Sequence, residues 1–170
     1  MTKYLSVTDT AKLVRSALKA AFPGVKFSVR SDSYSGGASI NVTWTDGPTE
    51  KAVEAISNRY QGCDFDGMQD LKTYRDGTLI ALPGGEVEEV RFGANYVMTH
   101  RKLSEPYLAE LEPIAAVIVA DNGGGEFSRD RWYDGLACDH GVFPQGNGHN
   151  LLWWLSRHIA PSSYAAAAGK

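Results

Sequence analysis

Two short alternating segments constrain this chain more than anything else in it. Val25, Phe27 and Val29 alternate with Lys26, Ser28 and Arg30, and Ile40, Val42 and Trp44 alternate with Asn41, Thr43 and Thr45. A period of two puts the apolar side chains on one face of a pleated strand. The intervening Ser31 to Gly37 is too short for a crossover connection, so the two strands pair antiparallel as a hairpin joined by an Asp/Ser/Tyr/Gly loop. Such a hairpin has one dry face, and that face needs a cover.

The cover stands on either side of it in the sequence. Ser6 with Asp9 three residues on has the form of a capping box, and Val14, Ala17, Leu18, Ala21 and Phe22 then recur at helical spacing, which predicts a helix over about Thr8 to Phe22. Pro23-Gly24 ends it. After the hairpin, Asp46-Gly47-Pro48 supplies a turn and a proline at the first helical turn, and Ala52, Val53, Ile56 and Tyr60 draw a second apolar stripe that Gly62 stops. Trp44, on the dry strand face, is read as core.

The rest of the chain is less regular. Met68 to Lys72 is ambiguous. Tyr74, Arg75-Asp76-Gly77 and Thr78 to Leu82 read as a second hairpin around an Asp-Gly turn, and Val87 to Arg91 and Ala94 to Arg101 read as further strands. Ser104-Glu105-Pro106 opens a helix that Pro113 is expected to kink or divide near Glu112. Beyond Ala120 the composition turns to Gly, Asp and aromatics without a period, until Asn150 to Ile159 predicts a last helix. Residues 162–170, with four consecutive alanines, read as a flexible tail.

Composition bounds the function. With 17 basic and 20 acidic residues in 170, the net charge is −3, too acidic for sequence-independent binding to a phosphate backbone. No apolar run approaches the ~18 residues that a membrane helix needs, and Met1-Thr2-Lys3-Tyr4 lacks the pattern of a secretory signal. A cytoplasmic protein is expected. Cys63 and Cys138 stand far apart and are read as free thiols.

Several constellations carry atoms with chemical potential, and each has a plainer reading. Asp64, Asp66 and Asp70 place three carboxylates within seven residues, as a hard cation would want, but Gly67 falls too early for an EF-hand and no Glu closes the loop. The block is read as a solvated recognition loop with Phe65 and Met68 anchored in the core. Cys138, Asp139, His140, His149 and His158 contain zinc-competent atoms but no Cys-x-x-Cys pair, and no metal site is assigned. Cys138 with His140 has the residue types of a nucleophilic pair, yet neighbours in sequence seldom face one another. No Gly-x-Ser-x-Gly elbow or phosphate-binding glycine loop is present. No catalytic residue and no cofactor is therefore assigned. Arg30, Tyr34, Asn41 and Arg59, near the hairpin, are the candidate binding residues beside the three aspartates, with Trp132, Tyr133, Trp153 and Trp154 as further surface candidates.

Taken together, the blocks Phe22-Pro23-Gly24-Val25-Lys26-Phe27-Ser28-Val29-Arg30, Gly37-Ala38-Ser39-Ile40, Trp44-Thr45-Asp46-Gly47-Pro48-Thr49, Phe65-Asp66-Gly67-Met68 and Phe92-Gly93-Ala94-Asn95-Tyr96-Val97 resemble the large polyvalent protein-associated domain twenty-nine family of phages and conjugative plasmids, over roughly Lys3 to Ser104. The resemblance implies a mobile-element accessory protein that acts by stoichiometric binding to a host protein, in counter-defence of the anti-restriction or anti-CRISPR type. It transfers no catalytic residues. Two alternatives stay open: a nucleic-acid-binding module that protects incoming DNA, and a small enzyme using the Cys138 and His140 region. The fold expected is α+β, an α-β-β-α unit extended by further antiparallel strands. A domain over 1–104 is expected to carry a helical, loop-rich C-terminal extension over 105–161 packed on it.

Overall fold

The computed structural model describes residues 2–68, 71–81, 86–121, 126–129 and 151–161. They form an α+β fold with three small sheets and divide into two compact units, Met1–Trp44 with Ala52–His100, and Thr45–Lys51 with the chain from Arg101 onward.

In the first unit, strand β1 (Lys3–Leu5) leads into helix α1 (Val7–Ala21). The Ser6 hydroxyl caps that helix by accepting the Asp9 N–H at 3.1 Å, and the Asp9 carboxylate accepts the Ser6 hydroxyl in return at 2.7 Å. Strands β2 (Ser28–Tyr34) and β3 (Gly37–Thr45) are the expected antiparallel hairpin. Its loop is shorter than the sequence suggests, because Ser31 to Tyr34 continue the ladder and only Ser35 and Gly36 turn. Gly36 takes φ +91°, a conformation open to glycine at no steric cost. At the other end β2 starts at Ser28, leaving Lys26 and Phe27 outside the ladder.

Val29, Ile40, Val42 and Trp44 from the hairpin pack with Ala11, Val14 and Leu18 of α1 and with Val53 of helix α2 (Glu50–Ser57) in one core cluster. Trp44 is 2% exposed there. A single 3₁₀ turn, Asn58–Tyr60, follows α2, and strands β4 (Cys63–Asp66) and β5 (Leu71–Tyr74) form an antiparallel sheet of two. Strand β6 (Thr78–Ala81) pairs antiparallel with β7 (Val87–Phe92), while β1 runs parallel on the other side of β7, with Lys3 opposite Val90 and Leu5 opposite Phe92. Strand β8 (Tyr96–Lys102) joins the first hairpin in the order β2-β3-β8.

Two expectations are corrected, and one strand was not foreseen. Tyr74 pairs with Cys63, not across Arg75-Asp76-Gly77, so the second hairpin is β4 with β5 and the Thr78 strand, β6, pairs with β7 instead. The Asp-Gly signal fails because Arg75 is held elsewhere: its N–H donates to the Gly62 carbonyl at 2.9 Å and its side chain grips Asp64. Strand β1 and its parallel pairing carry no sequence signal that three residues could supply. Finally, helix α3 (Glu105–Asp121) runs undivided through the exposed Pro113.

In the second unit, Tyr107, Leu111, Ala115 and Val119 of α3 pack with Leu151 and Leu155 of helix α4 (Leu151–His158). Arg101 ties the unit together. Its Nε donates to the Asp46 carbonyl at 3.1 Å, Nη2 to the Gly47 carbonyl at 3.0 Å, and Nη1 to the Ser156 and Ile159 carbonyls at 2.5 and 2.9 Å. The last two lie at the C-terminus of α4, where unpaired carbonyls and the negative end of the helix dipole favour a cation. Among the described residues no helix is long and apolar enough to cross a membrane.

Candidate functional site

Alternation along β2 sorts the candidate residues by face. Val29 points into the core, so Arg30, Asp32 and Tyr34 point away from it, and register places Arg30 directly opposite Asn41. Arg30 and Tyr34 are exposed and Asn41 is half-buried. The hairpin therefore brings Arg30 and Asn41 side by side on its outer face, with Tyr34 four residues along the same strand. Arg59 sits on the 3₁₀ turn, exposed and on a different element.

The acidic block is more than a loop. Asp64 and Asp66 alternate along β4 and share its face, opposite Thr73 and Leu71. Asp64 forms a two-pronged ion pair with Arg75, Nε to Oδ2 at 2.9 Å and Nη2 to Oδ1 at 2.5 Å, and Arg75 also reaches the Asn58 carbonyl at 2.7 Å. The hydrogen bonds from Arg75 hold the Asp64 carboxyl below the usual carboxylate range. Asp66 accepts the Met68 N–H at 2.9 Å, an Asx turn that starts the reversal between the strands. Asp70 lies outside the described residues. Two of the three carboxylates are thus committed to the local fold, and among the described residues no three Asp, Glu, His or Cys side chains are grouped to hold a metal.

Phe65 and Met68 are not core anchors. Phe65 is 56% and Met68 97% exposed, because β4 and β5 form a sheet of two that leaves the turn uncovered. Leu71 and Tyr74 are exposed on the same hairpin, the Tyr74 ring with the Lys72 ammonium 5.0 Å from its centroid. The signal for this element was present: Cys63-Asp64-Phe65-Asp66 alternates, but Asp is a poor strand former and the acidic composition suggested a loop.

Cys63 is buried, and desolvation pushes its thiol upward; its Sγ lies 3.6 Å from Asn95 Oδ1. In the second unit His158 stacks on Trp154 at 4.6 Å and Arg157 lies 4.9 Å from the Trp153 ring, so these groups are engaged within their own helix. Trp132, Tyr133, Cys138, Asp139, His140 and His149 lie outside the described residues.

Comparison with curated proteins and with solved structures finds no significant match. One family model does match, that of the large polyvalent protein associated domain 29, over residues 5–104. The match opens at the last residue of β1 and closes at Ser104, whose carbonyl accepts the Leu108 N–H in the first turn of α3. It spans the three hairpins and β8, more than half of the 170 residues. The chain therefore belongs to the family of the large polyvalent protein associated domain 29, a domain of the large polyvalent proteins typical of mobile elements.

Proposed function

We propose that this domain acts by stoichiometric binding to a host protein, in counter-defence of the anti-restriction or anti-CRISPR type, and that the β4–β5 hairpin is its contact. The observation that carries this reading is the set of water-facing apolar side chains on that one hairpin, Phe65 and Tyr74 on one face, Leu71 on the other and Met68 in the turn. An isolated sheet of two strands is marginal in water, and large apolar groups left on it favour docking onto another surface. Burying what these four side chains still expose is worth roughly 4–8 kcal/mol before the cost of association is subtracted, enough for a weak complex. A net charge of −3 also favours a protein over a polyphosphate partner.

The test uses the full chain as bait in host lysate, followed by light scattering with the purified partner. The expected result is a 1:1 complex that a Met68→Asp, Leu71→Asp double variant weakens by about tenfold or more. No saturable protein partner, or equal binding by the double variant, would overturn the reading. Recovery of nucleic acid instead, with affinity falling steeply as salt rises, would favour the hairpin face of Arg30, Tyr34 and Asn41 and a role in protecting incoming DNA.

A further inference from the structure

A recess of about 550 Å³ opens in the first unit where β1, the tip of the β2–β3 hairpin, the end of β7 with the turn that follows it and the end of β5 meet. That volume lies within the range of small-ligand sites. Backbone rather than side chains forms much of its wall. A Cβ on Gly37 would fall 1.9 Å from Asn95 Nδ2, and one on Gly93 would fall 2.6 Å from the Leu5 carbonyl oxygen and 2.7 Å from the Tyr4 hydroxyl. Close packing of the strands accounts for the glycines. It does not account for the polar groups that converge on the space they leave.

Three of those groups matter. Asn95 is 9% exposed; its backbone N–H donates to the Ala38 carbonyl at 2.7 Å and its Oδ1 faces the Cys63 thiol, while its Nδ2 makes no hydrogen bond among the described residues. Those two N–H donors line an open recess rather than a sealed void, so a bound acceptor can take them in place of water. Arg91 also lines the recess, exposed and without an ion pair among the described residues. Tyr4 is its register partner on the parallel β1–β7 pair, so an aromatic ring and a guanidinium sit side by side on one face of that sheet. Tyr4 is 68% exposed, and its hydroxyl rests against Gly93. Tyr74 closes the far side, one face of its ring already taken by Lys72.

We propose that this recess binds a nucleoside monophosphate unit, its base stacked on Tyr4, its phosphate held by Arg91 and a base or sugar acceptor taken by Asn95 Nδ2. Guanidinium matches phosphate in shape and charge, and a base stacks on an aromatic side chain whatever its sequence context. The acidic net charge is compatible with such a site, since one nucleotide in a pocket needs one cation rather than a basic track. The recess shares only Tyr74 with the hairpin of the proposed partner contact; Phe65, Met68 and Leu71 do not line it, so the two readings are tested by different variants.

The unit has two sources, a free nucleotide or the end of a single strand, and calorimetric titration of the full chain separates them. The probes are adenosine, adenosine 5′-monophosphate, inorganic phosphate and a 5′-phosphorylated tetranucleotide. The monophosphate is expected to bind 1:1 with a slope of log affinity against log salt of about −1 or shallower, as one phosphate contact gives. Arg91→Ala should weaken it about tenfold while leaving adenosine unchanged. Ser33→Trp, which fills the mouth from the exposed hairpin tip, should abolish both, and Lys19→Ala on the exposed face of α1 should change neither. Tighter binding of the tetranucleotide than of the monophosphate assigns the site to a strand end, and the reverse assigns it to a free nucleotide. Absence of saturable binding by adenosine and its monophosphate at millimolar concentration would overturn the proposal. So would binding that Arg91→Ala and Ser33→Trp both leave intact, or binding of phosphate that the nucleoside does not improve.

Discussion

Arg101 shows what one side chain does for a unit with a small core. Its guanidinium serves four backbone carbonyls and lies 4.9 Å from the centre of the Tyr107 ring, whose hydroxyl donates to the same Ile159 carbonyl at 2.6 Å. Replacing it by alanine leaves those carbonyls short of donors, and a loss of about 3–5 kcal/mol in urea unfolding is expected. Arg101→Lys keeps the charge but not the planar fork, and should recover less than half of that loss. Asp64 makes a weaker, pH-dependent case. Because Arg75 lowers its folded pKa, the ion pair contributes fully above the ordinary carboxylate range and loses its contribution as pH falls through the lowered value. The stability difference between the wild type and Asp64→Asn should therefore be constant from neutral pH to about pH 5 and shrink below about pH 4. The carboxylate is largely open to water, so the difference should stay under about 1 kcal/mol.

At the scale of elements, periodicity marked α1, the second helix stripe, the first hairpin and the final helix, because each rests on contacts within a few residues of itself. Ser6 and Asp9 could be read as a cap for the same reason. Pairing over longer separations was not legible. Nothing in Lys3-Tyr4-Leu5 names Val90, Arg91 and Phe92 as its neighbours, and Tyr74 gave no sign that Cys63 rather than Thr78 would face it. The candidate residues divide in the same way: Arg30 and Asn41 follow from the alternation of one hairpin, whereas Arg75, Arg91 and Asn95 come into play only when separate strands meet. Gly62, between the 3₁₀ turn and β4, tests how tightly one such meeting is drawn. A Cβ there would stand 2.4 Å from the Phe92 carbonyl oxygen, and its own N–H donates to the Ala94 carbonyl at 2.7 Å. Gly62→Ala should cost about 1–3 kcal/mol in thermal or urea unfolding, since backbone has to move to admit the methyl group.

For the molecule as a whole, family membership and fold concern the first hundred residues, while the proposed contacts reside on parts of that stretch that the hydrophobic core does not use. Trp44, Ile40 and Leu18 are spent on cohesion; Met68, Leu71, Tyr4 and Arg91 are not. That division is what permits the contact residues to change without loss of the fold. The parallel pairing of β1 with β7 has a further effect on how the domain comes into being. A ribosome releases Lys3 long before Val90, and at roughly 5–20 residues per second the opening strand waits on the order of 4–17 s for its mate. During that interval α1 and the first hairpin can assemble from nearby sequence, but the three-stranded sheet cannot close, so newborn chains pass through a stage in which an unmatched β-edge is on display to whatever binds nascent polypeptides.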